Sequence, residues 1–294
     1  MSTPSSSTAS STSSTSKAPA AATATAPTPT AVARSTKTVL ITGASGGIGL
    51  HLAECFARDG HHVVVVARST PQLEALAAVL RHRFGVPVTV ITADLAQPGA
   101  AAQLHAAVQA QGLTLDALVN NAGYGVFGEF RNSALDAELA MMQLNMAALV
   151  SLSKLFLPDL LARRGQLLNV ASTAAFQPGP YMAVYFATKA FVLSFTEAIA
   201  AELEGTGVQV MALCPGPTAS GFQDKAAMQA SALVQGKRLP SAESVAVDGY
   251  AALQRGKRVH ITGTLNWLMA QSVRFTPRRV VTAIVKMQSR PTGH

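Results

Sequence analysis

Over residues 37–261, short unbroken apolar runs alternate with longer stretches in which apolar residues recur at helical spacing. The runs are Thr38-Val39-Leu40-Ile41, 63–66, 88–91, Ala117-Leu118-Val119, 167–170 and 208–213. They are continuous rather than alternating, as expected of strands covered on both faces, the usual state of parallel strands. Helical stretches fall between them at 47–59, 71–84, 135–163 and 181–204; in the first, Ile48, Leu52, Cys55 and Phe56 share one face. A further helix is expected at 241–255 and a strand at 258–261. Strand and helix alternating in this way specify an α/β fold, a single doubly wound parallel sheet with helices on both faces and ligands at the carboxyl ends of the strands.

Hydrophobic residues make up 49% of the 294 positions and charged residues 13%, enough for one large core. Residues 1–36 are Ser, Thr, Ala and Pro with scarcely a large apolar side chain, which predicts a disordered low-complexity tail. Residues 37–262 form the folded domain, and 263–294 a basic helical extension. The net charge of +8 belongs to the ends. From 249 to 294 there are eight basic residues and no Asp or Glu, whereas 54–248 carry twelve basic against fifteen acidic. With Trp267, Leu268, Met269 and Phe275 in it, the basic stretch could touch anionic lipid or a partner protein, although solvated arginines on an exposed helix are the simpler reading. No nucleic-acid-binding motif accompanies the charge. Cys55 and Cys214 fall on a buried helix face and a strand end, which fits a reducing, cytoplasmic setting rather than a disulfide framework. No run of about 18 apolar residues argues for a spanning helix.

Gly43, Gly47 and Gly49 follow the first strand and open the first helix. Without side chains, this turn can bring backbone N–H groups and a helix N-terminus against a pyrophosphate. The spacing is G-x-x-x-G-x-G, not G-x-G-x-x-G, and alone it does not separate a nucleotide site from a plain connecting turn.

The turn acquires meaning from the motifs downstream of it. Thr42-Gly43-x-x-x-Gly47-Ile48-Gly49, Asn120-Asn121-Ala122-Gly123, Ser172, Tyr185-x-x-x-Lys189 and Pro215-Gly216 together resemble the short-chain dehydrogenase/reductase family, in order and spacing, over 37–261. Gly46 also permits the T-G-x-x-G-x-x-G spacing of the family's longer branch. The Asn-Asn-Ala-Gly run and the thirteen-residue step from Ser172 to Tyr185 favour the shorter oxidoreductase branch.

The second strand ends in Ala67-Arg68-Ser69, with no carboxylate for a ribose 2′-hydroxyl, so a 2′-phosphate meets a guanidinium and NADP(H) is expected over NAD(H). Hydride addition to a carbonyl builds charge on oxygen and needs a proton. Tyr185 is the expected general acid or base, its phenolate favoured by Lys189 one helical turn on and by the positive nicotinamide. Ser172, ending the fifth strand, would hold the substrate oxygen. Tyr181 is a rival phenol without a lysine at the right offset.

The resemblance further implies that Lys189 bonds the nicotinamide ribose and that Asn145 helps place a water beside it. It sets Ser45 and Ile48 with the glycines around the phosphates, Asp94 at the adenine, and Pro215, Gly216 and Thr218 at the nicotinamide, with Ser220 where many members have threonine. Asn121 is expected to tie strands together while its backbone and those of Ala122 and Gly123 border the cofactor. Substrate contacts are expected from Tyr124, Val126, Phe127, Phe176, Gln177, Pro178 and Phe222, whose apolar character suggests a hydrophobic carbonyl or alcohol. The resemblance also implies a homodimer or homotetramer, since helices 135–163 and 181–204 are apolar on more than one face. No metal is expected. The rival reading is a nucleotide-sensing protein on the same fold that has lost the chemistry.

Overall fold

The computed structural model describes residues 37–221 and 239–290; the tail expected for 1–36 lies outside them. Seven strands, β1 (Thr38–Thr42), β2 (His62–Ala67), β3 (Val88–Thr92), β4 (Ala117–Asn120), β5 (Gln166–Val170), β6 (Gln209–Cys214) and β7 (Val259–Ile261), form one sheet in the order β3-β2-β1-β4-β5-β6-β7. All six pairings are parallel.

Successive residues of each strand feed opposite faces. On one face, Val39, Ile41, Val63 and Val65 pack with Leu52 and Phe56 of α1 (Gly47–Arg58), with Leu73 and Leu80 of α2 (Thr70–Phe84) and with Leu253 of the helix Ala242–Gln254. On the other face, Leu40, Val64 and Leu118 meet Leu104 of α3 (Ala100–Ala110) and Leu152 and Phe156 of α5 (Leu149–Arg163). Helices α4 (Leu135–Met142) and α6 (Ala183–Glu202) complete that layer. The helix Ala242–Gln254 is α7, and the chain continues into α8 (Thr264–Ser272) and α9 (Arg278–Ser289).

The helix expected at 135–163 is present but interrupted. Gln143–Ala148 forms a π turn between α4 and α5, a feature that often marks a functional position and here contains Asn145. By length and composition Leu135–Arg163 and Ala183–Glu202 could each cross a membrane. Each instead lays a polar face inward, where Asn145, Ser153, Lys189 and Thr196 are buried. Part of that face is a relay through the sheet. Asn120 Nδ2 donates to Ser153 Oγ and to Asn169 Oδ1, both at 3.0 Å, and Asn169 Nδ2 donates to Thr196 Oγ1 at 3.0 Å.

Candidate active site

The order of the strands reverses between β1 and β4, which opens a crevice at their carboxyl ends. A cavity of about 1040 Å³ occupies it. Gly43, Ser45, Gly47, Ile48, Arg68, Asp94, Asn121, Ala122, Gly123, Ser172, Tyr185, Lys189, Pro215, Gly216 and Thr218 all line this one cavity. Of the catalytic and cofactor-binding residues expected from sequence, only Gly49 and Asn145 stand behind its wall.

The glycine end is shaped by close backbone approach. Gly43 has φ +66°, and a Cβ on it would stand 2.9 Å from Ala122 Cα. A Cβ on Gly49 would lie 2.3 Å from Asn121 Nδ2 and 2.5 Å from the Gly43 carbonyl oxygen, inside any allowed contact. Asn121 explains the crowding: its Nδ2 donates to the carbonyls of Thr42 (2.9 Å) and Gly43 (3.2 Å), stapling the turn after β1 to the end of β4. Thr42 Oγ1 reciprocates by accepting from the N–H groups of Asn121 and Ala122, both at 3.0 Å. Asn121 thus ties strands, as expected. Ser220 closes the turn from the far side, its Cβ 3.4 Å from where a Cβ on Gly47 would be. This cradle of bare backbone at a helix N-terminus fits a pyrophosphate.

Arg68, exposed, and Ser69, half-buried, line the adjoining wall beyond β2. Asp94 accepts from the Ala96 N–H at 3.1 Å and from Gln97 Nε2 at 3.3 Å, so it shapes its own turn while also facing the cavity.

Ser172, Tyr185 and Lys189 converge at the middle. The Tyr185 and Ser172 hydroxyls are hydrogen-bonded. Ser172 Oγ also accepts from the Ala174 N–H at 3.1 Å. Burial pushes Tyr185 up to about 12, an increase that the Ser172 hydrogen bond partly offsets. Burial likewise holds Lys189 down at about 8. Lys189 Nζ donates to the Val170 carbonyl at 2.7 Å and stands 5.9 Å from the centroid of the Tyr185 ring. In the protein alone, desolvation of the phenol is the dominant influence on Tyr185, and Lys189 is turned toward a carbonyl. The rival Tyr181 does not line the cavity; it sits at φ +68° and packs near Phe127.

Asn145 is 1% exposed. It donates to the Tyr124 carbonyl (2.9 Å) and to Thr188 Oγ1 (3.1 Å), and its Oδ1 accepts from the Tyr124 N–H (3.2 Å). Both amide donors are thus engaged with protein groups. Thr218, buried, donates to the Gly216 carbonyl at 2.8 Å and so braces the Pro215-Gly216 loop.

The substrate end is less as expected. Tyr124, Phe176 and Gln177 line the cavity, but Val126 and Phe127 pack in a cluster beside it and Pro178 does not reach it. Phe222 lies outside the described residues. Leu265, Asn266 and Met269 from α8 and Gln288 from α9 complete the wall. The basic helical extension is thus part of the cavity wall, and Val281 and Val285 of α9 pack in the same cluster as Met141, Met182, Tyr185 and Phe186. Asn266 donates to the Thr262 carbonyl at 2.8 Å and lies so close to Gly216 that a Cβ there would be 2.4 Å from its Nδ2. No spacing rule links residue 266 to residue 216, and only glycine at 216 hints at a close neighbour.

Comparison with known proteins agrees with this geometry. The family model for short chain dehydrogenase matches residues 37–230. A ketoacyl reductase from Nostoc sp. is 36% identical over 184 residues, covering 61% of this chain, which spans 63% of that protein's length. A 7β-hydroxysteroid dehydrogenase from Collinsella aerofaciens is 35% identical over 61% of this chain and 68% of its own. Among solved structures, a short-chain dehydrogenase from Sphingobium yanoikuyae in complex with NADPH superposes with a TM-score of 0.73 at 32% identity, covering 81% of this chain and 94% of that one. Matched over about two thirds of its length, and carrying the turn, the strand staple and the Ser172–Tyr185–Lys189 cluster in one crevice, the chain belongs to the short-chain dehydrogenase family.

Proposed function

We propose that the protein is an NADP(H)-dependent oxidoreductase that interconverts an apolar carbonyl compound and its alcohol. The observation that carries this reading is the hydrogen-bonded Tyr185–Ser172 pair facing the same cavity into which the glycine turn opens. The turn from Gly43 to Gly49 would hold the pyrophosphate, Arg68 and Ser69 the 2′-phosphate, Lys189 the nicotinamide ribose, and the loop at Pro215 and Gly216 the nicotinamide end. When bound, the dinucleotide supplies or accepts the hydride. The NADP(H) preference is supported by the guanidinium in place of a carboxylate after β2 and by neighbours crystallised with NADPH or 5-hydroxy-NADP.

The protein's part is to orient the substrate and move a proton. The Ser172 hydroxyl donates to the substrate oxygen, and Tyr185 delivers its phenolic proton to that oxygen as negative charge builds there. A phenol held near 12 is protonated at neutral pH and ready to give that proton. Phe176, Met182, Phe186, Leu265 and Met269 make the substrate end apolar, and similarity to a bulky-bulky ketone specific alcohol dehydrogenase from Comamonas testosteroni (29% identical, TM-score 0.69, covering 81% of this chain and 92% of that one) supports a large hydrophobic substrate.

NADPH oxidation measured against a panel of aldehydes, ketones and bulky ketones tests the reading. Tyr185→Phe should lower kcat by about 10²–10⁴-fold while the NADPH Kd changes by no more than a few-fold. A variant with near-normal kcat would remove Tyr185 from the chemistry, and NADPH binding without turnover on any compound would favour a nucleotide sensor.

The outer faces of α5 and α6 carry exposed Leu161 and Phe191 and half-buried Val150, Leu155, Phe195 and Ile199. The C-terminal helices lie over the substrate end and leave this face uncovered, which supports a homodimer or tetramer; a monomer mass by light scattering at micromolar concentration would refute it. Two buried free thiols support a reducing, cytoplasmic setting, which cell fractionation checks.

A further inference from the structure

We infer that the outward surface of α8 and α9 docks onto an anionic phospholipid bilayer and sets the mouth of the cavity against it. Among the described residues, eight of the fifteen exposed large apolar side chains fall within positions 265–287. Phe275 is 87% exposed, Leu265 70%, Met287 61% and Trp267 49%. So many in one short stretch mark an interaction surface rather than the scattered apolar residues of an ordinary exterior.

The helical periodicity of α9 separates three stripes. Val281, Val285 and Ser289 turn inward and are buried. Val280, Ile284 and Met287, at i, i+4 and i+7, form a second apolar stripe that meets solvent. Arg279 and Lys286, seven residues apart, flank it on the side away from the core, both exposed. An apolar stripe edged by long basic side chains is the arrangement of a helix lying in a membrane interface, where the cations stay with the headgroups. Arg274, Arg278 and Arg290 are exposed on the same segment, none of these five forms an ion pair with a carboxylate among the described residues, and no acidic residue follows Asp248 in the sequence. That one-sided charge selects an anionic surface.

The patch is continuous with the cavity: Leu265 and Met269 line the cavity and are themselves exposed. An apolar compound dissolved in the bilayer would thus meet the substrate end without crossing water. Docking itself does not depend on the proposed reaction.

The test is sedimentation of the purified protein with phosphatidylcholine vesicles, with and without about 30 mol% phosphatidylglycerol to supply the anionic surface. Trp267 is the only tryptophan in the chain, so its fluorescence reports contact directly. Binding at least about tenfold stronger to the anionic vesicles, with a blue shift of Trp267 emission, is expected. Phe275→Glu and Arg279→Glu should each lose most of that binding. Arg255→Glu, an equal charge reversal at an exposed site on the far end of α7, should keep it, with all variants retaining NADPH affinity as a check on folding. No binding, no blue shift, or equal losses in Arg255→Glu and Arg279→Glu would overturn the inference. So would a fall in the oligomer mass of Phe275→Glu, by light scattering without lipid, since the patch would then be a contact between copies of the chain.

Discussion

At the glycine end of the cavity the wall is backbone, and at the far end it is side chain. The first is fixed by what is missing: Cβ atoms at Gly43 and Gly49 that the staple of Asn121 leaves no room for. The second is assembled from Tyr124 and Phe176 on loops and from Leu265, Met269 and Gln288 on helices that arrive late in the chain. A backbone cradle accepts one ligand shape and tolerates almost no change. A wall of side chains can be re-lined without disturbing the sheet, so one end keeps its partner while the other is free to vary.

This contrast can be broken most directly at Gly49. Gly49→Ala places a methyl group against Asn121 Nδ2 and the Gly43 carbonyl, and should abolish measurable NADPH binding or prevent folding. Gly46→Ala, three residues away, meets nothing within 4 Å on extended backbone and should bind NADPH within a few-fold of wild type. Met269→Ala, at the opposite end, should leave the NADPH Kd equally unchanged. Calorimetric titration of the three variants decides whether the glycines or the general neighbourhood hold the cofactor.

A smaller effect is expected where the cofactor end relies on a side chain. Arg68→Asp replaces the guanidinium proposed to hold the 2′-phosphate with a like charge, and a charge-assisted hydrogen bond is worth about 1.5–3 kcal/mol. The NADPH-to-NADH ratio of kcat/KM should fall by about 10- to 100-fold. An unchanged ratio would mean that Arg68 does not read that phosphate.

The smallest expected effect lies where the two ends meet. Burial lowers Lys189 from an ordinary 10.5 to about 8, so between those values the folded chain binds fewer protons than the unfolded one. Stability from this group therefore rises with pH across that window, and its penalty is fully present below about 8. Lys189→Met has no such penalty. The excess of its Tm over that of the wild type should narrow by a few degrees between about pH 7 and pH 10, on a scale of about 2–4 °C per kcal/mol. Tyr185, raised by burial, acts in the opposite direction only above its ordinary value of 10 and is present in both proteins. A constant or widening difference by thermal denaturation of the ligand-free proteins would show that Lys189 is not desolvated as described.

The same contrast governs how much could be read from the sequence. Six apolar runs and the helices between them revealed the sheet because strands covered on both faces leave an unbroken apolar signature. The cradle was legible because glycine is a backbone signal, and Ser172, Tyr185 and Lys189 because strand end and helical turn fix their spacing. The π turn was not legible, since Leu144-Asn145-Met146-Ala147 reads as ordinary helix. Nor was the far wall. Asn266 reaches Gly216, and Val281 and Val285 reach Phe186, through packing between elements distant in sequence, which no local pattern encodes. The basic charge of the C-terminal stretch was visible, but its packing against Tyr185 and Phe186 of α6 was not.

Because the central strands β1, β2 and β4 are buried on both sides, burial distinguishes poorly between neighbouring alignments of one strand on the next, and a chain still assembling could lock in the wrong one. Asn120 and Asn169 stand directly opposite each other in the β4–β5 ladder and share a hydrogen bond, with Ser153 and Thr196 completing the row. A displaced alignment would break the Asn120–Asn169 bond and leave a buried amide oxygen without its donor. Four small polar side chains thus act as a proofreading key for strand alignment, admitting the one arrangement that also sets Ser172 beside Tyr185.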